Sequence, residues 1–323
     1  MPLPTLLEGR LSLPVIGAPM FMVSSPDLVI AQCKTGIVGS FPALNARPTE
    51  LLDRWLKRIE AELAAFAEAN PDRRVAPYAV NQIVHSSNAR LAEDMRVCER
   101  RRPPIVITSL RPPDEVVACV HGWGGIVLHD VISVRHAEKA LEAGVDGLIL
   151  VAAGAGGHAG ALSPFALLQE VRAFYDGPIA LSGAIATGGA VFAALAAGAD
   201  LAYVGTRFIA ALEADADPRY KQMLIDSAAA DIVYSSLFTG VAGNYLRPSI
   251  AAAGFDPDAL PVGEKAQMDL RSAAKAWRDI WGAGQGVGAI HGIAPVEQIV
   301  AEMVAEFCAR RDHVAHMTAK FRD

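Results

Sequence analysis

Eight continuous apolar runs constrain the fold of this chain more than any other feature. They are Leu13–Gly17, Gly36–Phe41, Val75–Asn81, Ile105–Ser109, Gly125–His129, Gly147–Ala152, Pro178–Ser182 and Leu201–Gly205. Each is unbroken rather than alternating, which is how parallel strands covered on both faces read. Helical patterns separate them. Pro48–Ala69 gathers Leu51, Leu52, Trp55, Leu56, Ile59, Leu63 and Phe66 on one face, opposite Glu50, Asp53, Arg54, Lys57 and Glu60. Ser133 is placed to cap a helix that ends at Gly144, Pro164 opens another, and Thr187–Ala197 stops at Gly198. Eight strand–helix repeats predict an α/β chain folded as a (β/α)8 TIM barrel.

A plain barrel takes about 250 residues, so a chain of 323 has room for an addition. The alternation stops after Thr206, and residues 211–274 read as mainly helical and irregular, with polar turns at Asp215-Ala216-Asp217-Pro218 and at Pro248. The expected organisation is a barrel of residues 1–210 and 275–323, with 211–274 inserted after the eighth strand. Insertions that follow barrel strands sit on the catalytic face, so this subdomain is expected to cover the active site.

Bulk properties exclude several function classes. With 52% hydrophobic and 20% charged residues there is ample material for a core, which argues against disorder. The net charge of −6, the pI near 5.8 and the lack of a long Lys/Arg block argue against nucleic-acid binding. No apolar stretch reaches the roughly 18 residues of a membrane span, and no signal peptide is apparent. Cys33, Cys98, Cys119 and Cys308 are scattered without metal-ligand spacing, as expected of reduced thiols in a cytoplasmic protein. His85, His121, His129 and His136 likewise lack ligand spacing and read as structural or surface residues. Gly122-Trp123-Gly124-Gly125 precedes a strand, the wrong side for phosphate binding.

Barrel active sites lie at the carboxyl ends of the strands. There the chain places Ala18-Pro19-Met20-Phe21, Asn81-Gln82, His129-Asp130, Gly154-Ala155-Gly156-Gly157-His158-Ala159-Gly160, Ser182-Gly183-Ala184 and Gly205-Thr206-Arg207-Phe208. The sixth of the runs opens into four glycines in seven residues around one imidazole. That backbone can approach a flat ligand closely, and the side chain suits proton transfer or anion binding near neutral pH. Small residues after the seventh and eighth runs, beside the helix start Thr187-Gly188-Gly189, form the standard barrel phosphate site and predict a phosphate-bearing cofactor. Ser182 is not in a Gly-x-Ser-x-Gly elbow, so it is a poor nucleophile candidate.

Ala-Pro-Met, Val-Asn, Ala-Gly-Gly-His-Ala-Gly, Ser-Gly-Ala-Ile and Val-Gly-Thr-Arg-Phe, in this order, resemble the nitronate monooxygenases, formerly called 2-nitropropane dioxygenases. The likeness runs over nearly the whole chain, including Ala283-Gly284-Gln285-Gly286. It implies an FMN-dependent barrel acting on a small nitronate or nitroalkane and O2, with a homodimer left open. By the same resemblance, the backbone of Pro19, Met20 and Phe21 lies along the flavin ring and Asn81 bonds its edge. Gly156 packs close to it, while Ser182, Gly183, Ala184, Gly205 and Thr206 hold the phosphate. His158 faces the substrate, either as an imidazolium holding the nitro group or as a neutral base. Asp130 takes a flavin-facing position at which some relatives carry Lys. The broader group also includes NAD(P)H-dependent flavin reductases of quinones or enoyl thioesters, the alternative for this chain. A non-catalytic flavin- or nucleotide-binding sensor would have little use for the His.

Overall fold

The computed structural model describes residues 3–260 and 279–321. Eight parallel strands form its centre: β1 (Val15–Gly17), β2 (Gly39–Pro42), β3 (Tyr78–Val84), β4 (Ile105–Leu110), β5 (Ile126–Val131), β6 (Gly147–Val151), β8 (Ile179–Ser182) and β9 (Leu201–Val204). The two-residue β7 (Gly157–His158) stays outside the ring. The strand order is β1-β9-β8-β6-β5-β4-β3-β2. Ile16 bridges Val38 in parallel and the Gly17 amide donates to the Val38 carbonyl at 2.8 Å, which brings the two ends of that order together. All eight strands overlap the apolar runs, with β3 starting and ending three residues later than its run.

Why the runs are continuous follows from the pleat, because successive residues face opposite ways. Ile105, Ile107, Leu128, Ile149 and Leu201 meet inside the ring. Val106, Val127, Leu148 and Leu150 face outward into a second cluster beneath the helices. The cover comes from α1 (Pro26–Lys34), α2 (Thr49–Ala69), α3 (Leu91–Arg101), α4 (Asp114–Gly122), α5 (Val134–Glu142), α6 (Pro164–Arg172) and α7 (Gly188–Ala196). In α2 the buried residues Leu52, Leu56, Ile59 and Leu63 recur every three or four positions, one face of a helix. The expected Ser133 cap is present, its side chain accepting from the His136 amide at 3.3 Å.

Beyond β9 the chain forms α8 (Thr206–Ile209), α9 (Pro218–Ile225), β10 (Ile232–Ser235), β11 (Gly243–Leu246), α10 (Arg247–Ala252) and, after the gap in description, α11 (Val296–Thr318). Within 211–260 the expectation of mainly helical structure meets two strands. β10 pairs antiparallel with β11, and β11 pairs with β7. Ile232-Val233-Tyr234 is β-branched and aromatic, which suits a strand. It pairs with β11, which is held in turn by β7, more than seventy residues earlier in the chain, so no local pattern announces the ribbon. Residues 261–274 of the expected insertion, and 275–278 of the expected return, lie outside the described residues. The return itself is tied down twice. Ala211 bridges Ala294, and the Glu213 carboxylate accepts from the Val296 amide at the positive end of α11.

Candidate active site

A cavity of about 370 Å³ opens at the carboxyl ends of the strands. Pro19, Met20, Phe21, Asn81, Asp130, Gly156, His158, Ser182, Gly205 and Thr206 all line it, drawn together from six strand ends. Gly183 and Ala184 do not line it. The Ala184 amide instead donates to the Gly154 carbonyl at 3.1 Å. Gly183 has φ +132 and a Cβ there would come 2.6 Å from the Ala153 carbonyl, while Ala184 has φ +55. These two residues shape a tight turn behind Ser182, a conformation that costs a non-glycine residue roughly 1–2 kcal/mol.

The Thr187-Gly188-Gly189 helix start does not line the cavity. The Gly188 amide donates to Glu306 of α11 at 2.7 Å, and Thr187 caps the Ala190 amide at 3.1 Å. A Cβ on Gly188 would lie 1.8 Å from the Met303 carbonyl. The glycine is there so that α7 and α11 can touch, and a carboxylate already occupies the helix's positive end. Thr206 is better placed. Its hydroxyl accepts from the Gly284 amide at 2.9 Å and its residue faces the cavity.

His158 reaches the cavity on a loop stapled by the ribbon. Gly243 lies opposite His158 in the β7–β11 pairing, so close that a Cβ would meet the Gly157 carbonyl at 2.7 Å. Asn244 donates to the Ala155 carbonyl at 2.6 Å, and the Tyr234 hydroxyl donates to that of Ala159 at 2.9 Å. Within the loop, Gly156 packs against Ala283 and Gly284, where a Cβ would come within 2.8 Å of the Gly284 amide. His158 Nε2 lies 2.9 Å from Thr239 Oγ1, and burial pushes the imidazole down to about 4. The ring is therefore neutral at pH 7.

Asn81, Ser109 and Asp130, which line the same cavity, stand on three neighbouring strands. Asn81 Nδ2 donates to Ser109 Oγ at 2.9 Å, and Ser109 Oγ donates to Asp130 Oδ2 at 2.7 Å. Burial pushes the Asp130 carboxyl up to about 7, against the lowering effect of the Ser109 bond. Pro19, Met20 and Phe21 form an apolar side wall. The Met20 amide donates to Ser24 Oγ at 2.9 Å, and Arg47 lies over the Phe21 ring at 5.3 Å. Sequence reading missed Ser109 and Thr239. Ser109 was legible in principle as a polar residue at the end of an apolar run. Thr239, 81 residues from its histidine, carries no local signal. His129 bonds Thr108 at 2.8 Å and is buried, as a structural histidine.

A closed α/β barrel with a histidine and a carboxyl lining one cavity at the carboxyl ends of its strands defines a barrel enzyme site. The chain belongs to the nitronate monooxygenase family, whose profile matches residues 6–306, and so to a flavin oxidoreductase class. It is 27% identical to the nitronate monooxygenase of Paraburkholderia phytofirmans over 91% of this chain and 92% of that one. In fold it is similar to a nitroalkane oxidase from Streptomyces ansochromogenes, with a TM-score of 0.79, 24% identity and coverage of 96% and 100%. It is also similar to FabK from Thermotoga maritima, with a TM-score of 0.76, 24% identity and 97% of each chain covered.

Proposed function

We propose that the protein is an FMN-dependent nitronate monooxygenase that oxidises alkyl nitronates, and nitroalkanes after deprotonation, with O2 to a carbonyl compound and nitrite. The observation that carries this reading is the convergence of His158 and the Asn81–Ser109–Asp130 chain on one cavity with an apolar side wall. The donor set fits a flavin. The side wall of Pro19, Met20 and Phe21 suits a planar ring, and the polar floor suits its edge. Asp130 Oδ1 is a buried oxygen whose hydrogen bonding the described residues leave unfilled. Ser182, Gly205 and Thr206 gather at one side of the cavity, where a phosphate would be held by hydroxyls and backbone amides. Gly183 and Ala184 would shape that turn rather than touch the phosphate.

Bound there, FMN supplies the electron transfer and the reaction with O2. The chain's part is positioning and proton handling. Because burial keeps His158 neutral, it is suited to take the proton from the carbon of a nitroalkane rather than to hold an anion by its own charge. Asn81 and Asp130 orient the ring edge, and the ribbon keeps the imidazole in place. In this reading residues 211–260, the described part of the expected insertion, cover the barrel, and the enzyme works in the cytoplasm on a small molecule. The test is nitrite release and O2 uptake with propionate-3-nitronate and with alkyl nitronates by the flavin-loaded protein. Rapid anaerobic bleaching of the flavin by NADH or NADPH without nitronate turnover would overturn the reading in favour of a reductase.

A further inference from the structure

The cavity floor holds a carboxyl group whose surroundings leave it incomplete. The direction of its hydrogen bonds is fixed atom by atom. The Ile107 carbonyl can only accept, so the Asn81 amide nitrogen faces it at 3.3 Å. That same nitrogen donates to Ser109 Oγ, whose single proton goes to Asp130 Oδ2. There the chain stops. Oδ1 is buried without a partner among the described residues. Of the buried side-chain polar atoms in that condition, it alone belongs to a residue lining the cavity. An unfilled buried acceptor costs roughly 1–3 kcal/mol, and more if charged, so a partner supplied by a ligand is the economical explanation.

We propose that Asp130 binds the cofactor as a neutral carboxylic acid, its Oδ1–H donating to an electron-rich atom on the edge of the bound flavin, with Ser109 and Asn81 setting its orientation. The proposal rests on the flavin reading above. Burial is the larger influence on this carboxyl, and the opposing one comes from Ser109, a neutral group. The titratable or charged residues that share the cavity are Arg47, His136, His158, Tyr203 and Tyr220. Burial keeps His158 uncharged above about pH 4 and pushes both tyrosines far up, with Asp130 itself adding to the rise at Tyr203. His129, the preceding residue, is engaged with Thr108. A Lys at this position would donate at any physiological pH. An Asp donates only while protonated, so in this chain cofactor binding becomes linked to proton uptake.

The test is FMN binding to the apoprotein, followed by quenching of flavin fluorescence from about pH 6 to 9, in the wild type and in Asp130→Asn. Asn keeps a donor but cannot ionise, and the phosphate's own titration is common to both. Relative to D130N, the wild type should lose affinity above about pH 7, approaching tenfold per pH unit. His136→Gln in both backgrounds removes the remaining histidine of the cavity and should leave that difference in place. The infrared C=O stretch of a protonated carboxyl should appear in the wild-type apoprotein at pH 6 and be missing from D130N. Ser109→Ala, which removes the bond favouring the charged form, should move the fall in affinity to higher pH. Should D130N fail to fold, the S109A shift still decides. Parallel affinity curves, or no such band, overturn this proposal alone. Failure of the wild type to bind FMN at any pH overturns the proposed function with it.

Discussion

The two titratable groups of the cavity are built in opposite ways. Asp130 stands on a ring strand, its carboxyl fixed through Ser109 and Asn81 by the next two strands. His158 stands outside the ring, on a loop held by β11 and by Thr239 from a distant segment. Burial acts on both and disfavours the charged form of both, pushing the acid up to about 7 and the base down to about 4. The chemical outcomes are nonetheless opposed. A neutral carboxylic acid can donate a proton, and a neutral imidazole can accept one. One physical cause thus divides the cavity into a donor side and an acceptor side, the arrangement from which acid and base roles are assigned.

The sharpest way to break this contrast is to remove the acceptor. His158→Asn should lower nitrite turnover by about 10²- to 10⁴-fold, the usual worth of a positioned base, while flavin binding stays within a few-fold. Undiminished turnover would sink the acceptor role. In the wild type, kcat/KM should show no acid limb from this residue until the pH approaches 4, and a limb near the ordinary histidine value would mean that burial does not discharge it.

The donor side makes a claim about stability. A carboxyl whose proton affinity is higher in the folded state favours folding below its ordinary value of 3.8, and that advantage is lost as the pH rises through about 7. Wild type should therefore weaken relative to Asp130→Asn between about pH 4 and 7, with the difference level above that. A tenfold change in proton affinity is about 1.4 kcal/mol, so the change is at most about 4 kcal/mol. Urea midpoints across that range measure it, and a pH-independent difference between the two proteins would contradict the neutral acid.

Most of the barrel was legible in the sequence, because strands covered on both faces must be apolar throughout. The positions of Asn81, Asp130 and His158 were legible too, since barrel chemistry gathers at strand ends. Two things were not. The ribbon that holds His158 depends on a pairing between segments far apart in the chain. The glycines of Gly188-Gly189 and of Gly154–Gly160 look alike in sequence, yet only the second stretch reaches the cavity. What separates them is the atom waiting where a Cβ would be, the Met303 carbonyl in one case and the backbone of 283–284 beside the cavity in the other. Gly188→Ala should therefore destabilise the fold by about 1–3 kcal/mol, as overpacking does, without changing flavin affinity at a temperature where the variant is folded. Loss of FMN binding in that variant would return the α7 start to the phosphate site.

The smallest effect expected falls on the acceptor side. Thr239 Oγ1 has one proton and lies 3.0 Å from the Val241 carbonyl, which can only accept. Giving the proton there leaves the oxygen to receive one from His158 Nε2 or from the Tyr245 hydroxyl, 3.2 Å away, and with Nε2–H as the donor the threonine holds the ring. Thr239→Val keeps the shape and removes the acceptor, at a cost of about 1 kcal/mol for one neutral hydrogen bond. Turnover should fall by roughly two- to fifteenfold with KM nearly unchanged, and Thr239→Ser should restore it. A purely structural role would instead lower the melting temperature of the valine variant and leave kcat per bound flavin intact. That result would mean that Thr239 does not orient the imidazole, and the contrast between a strand-built donor and a loop-built acceptor would then rest on how Gly243 and Asn244 hold the loop.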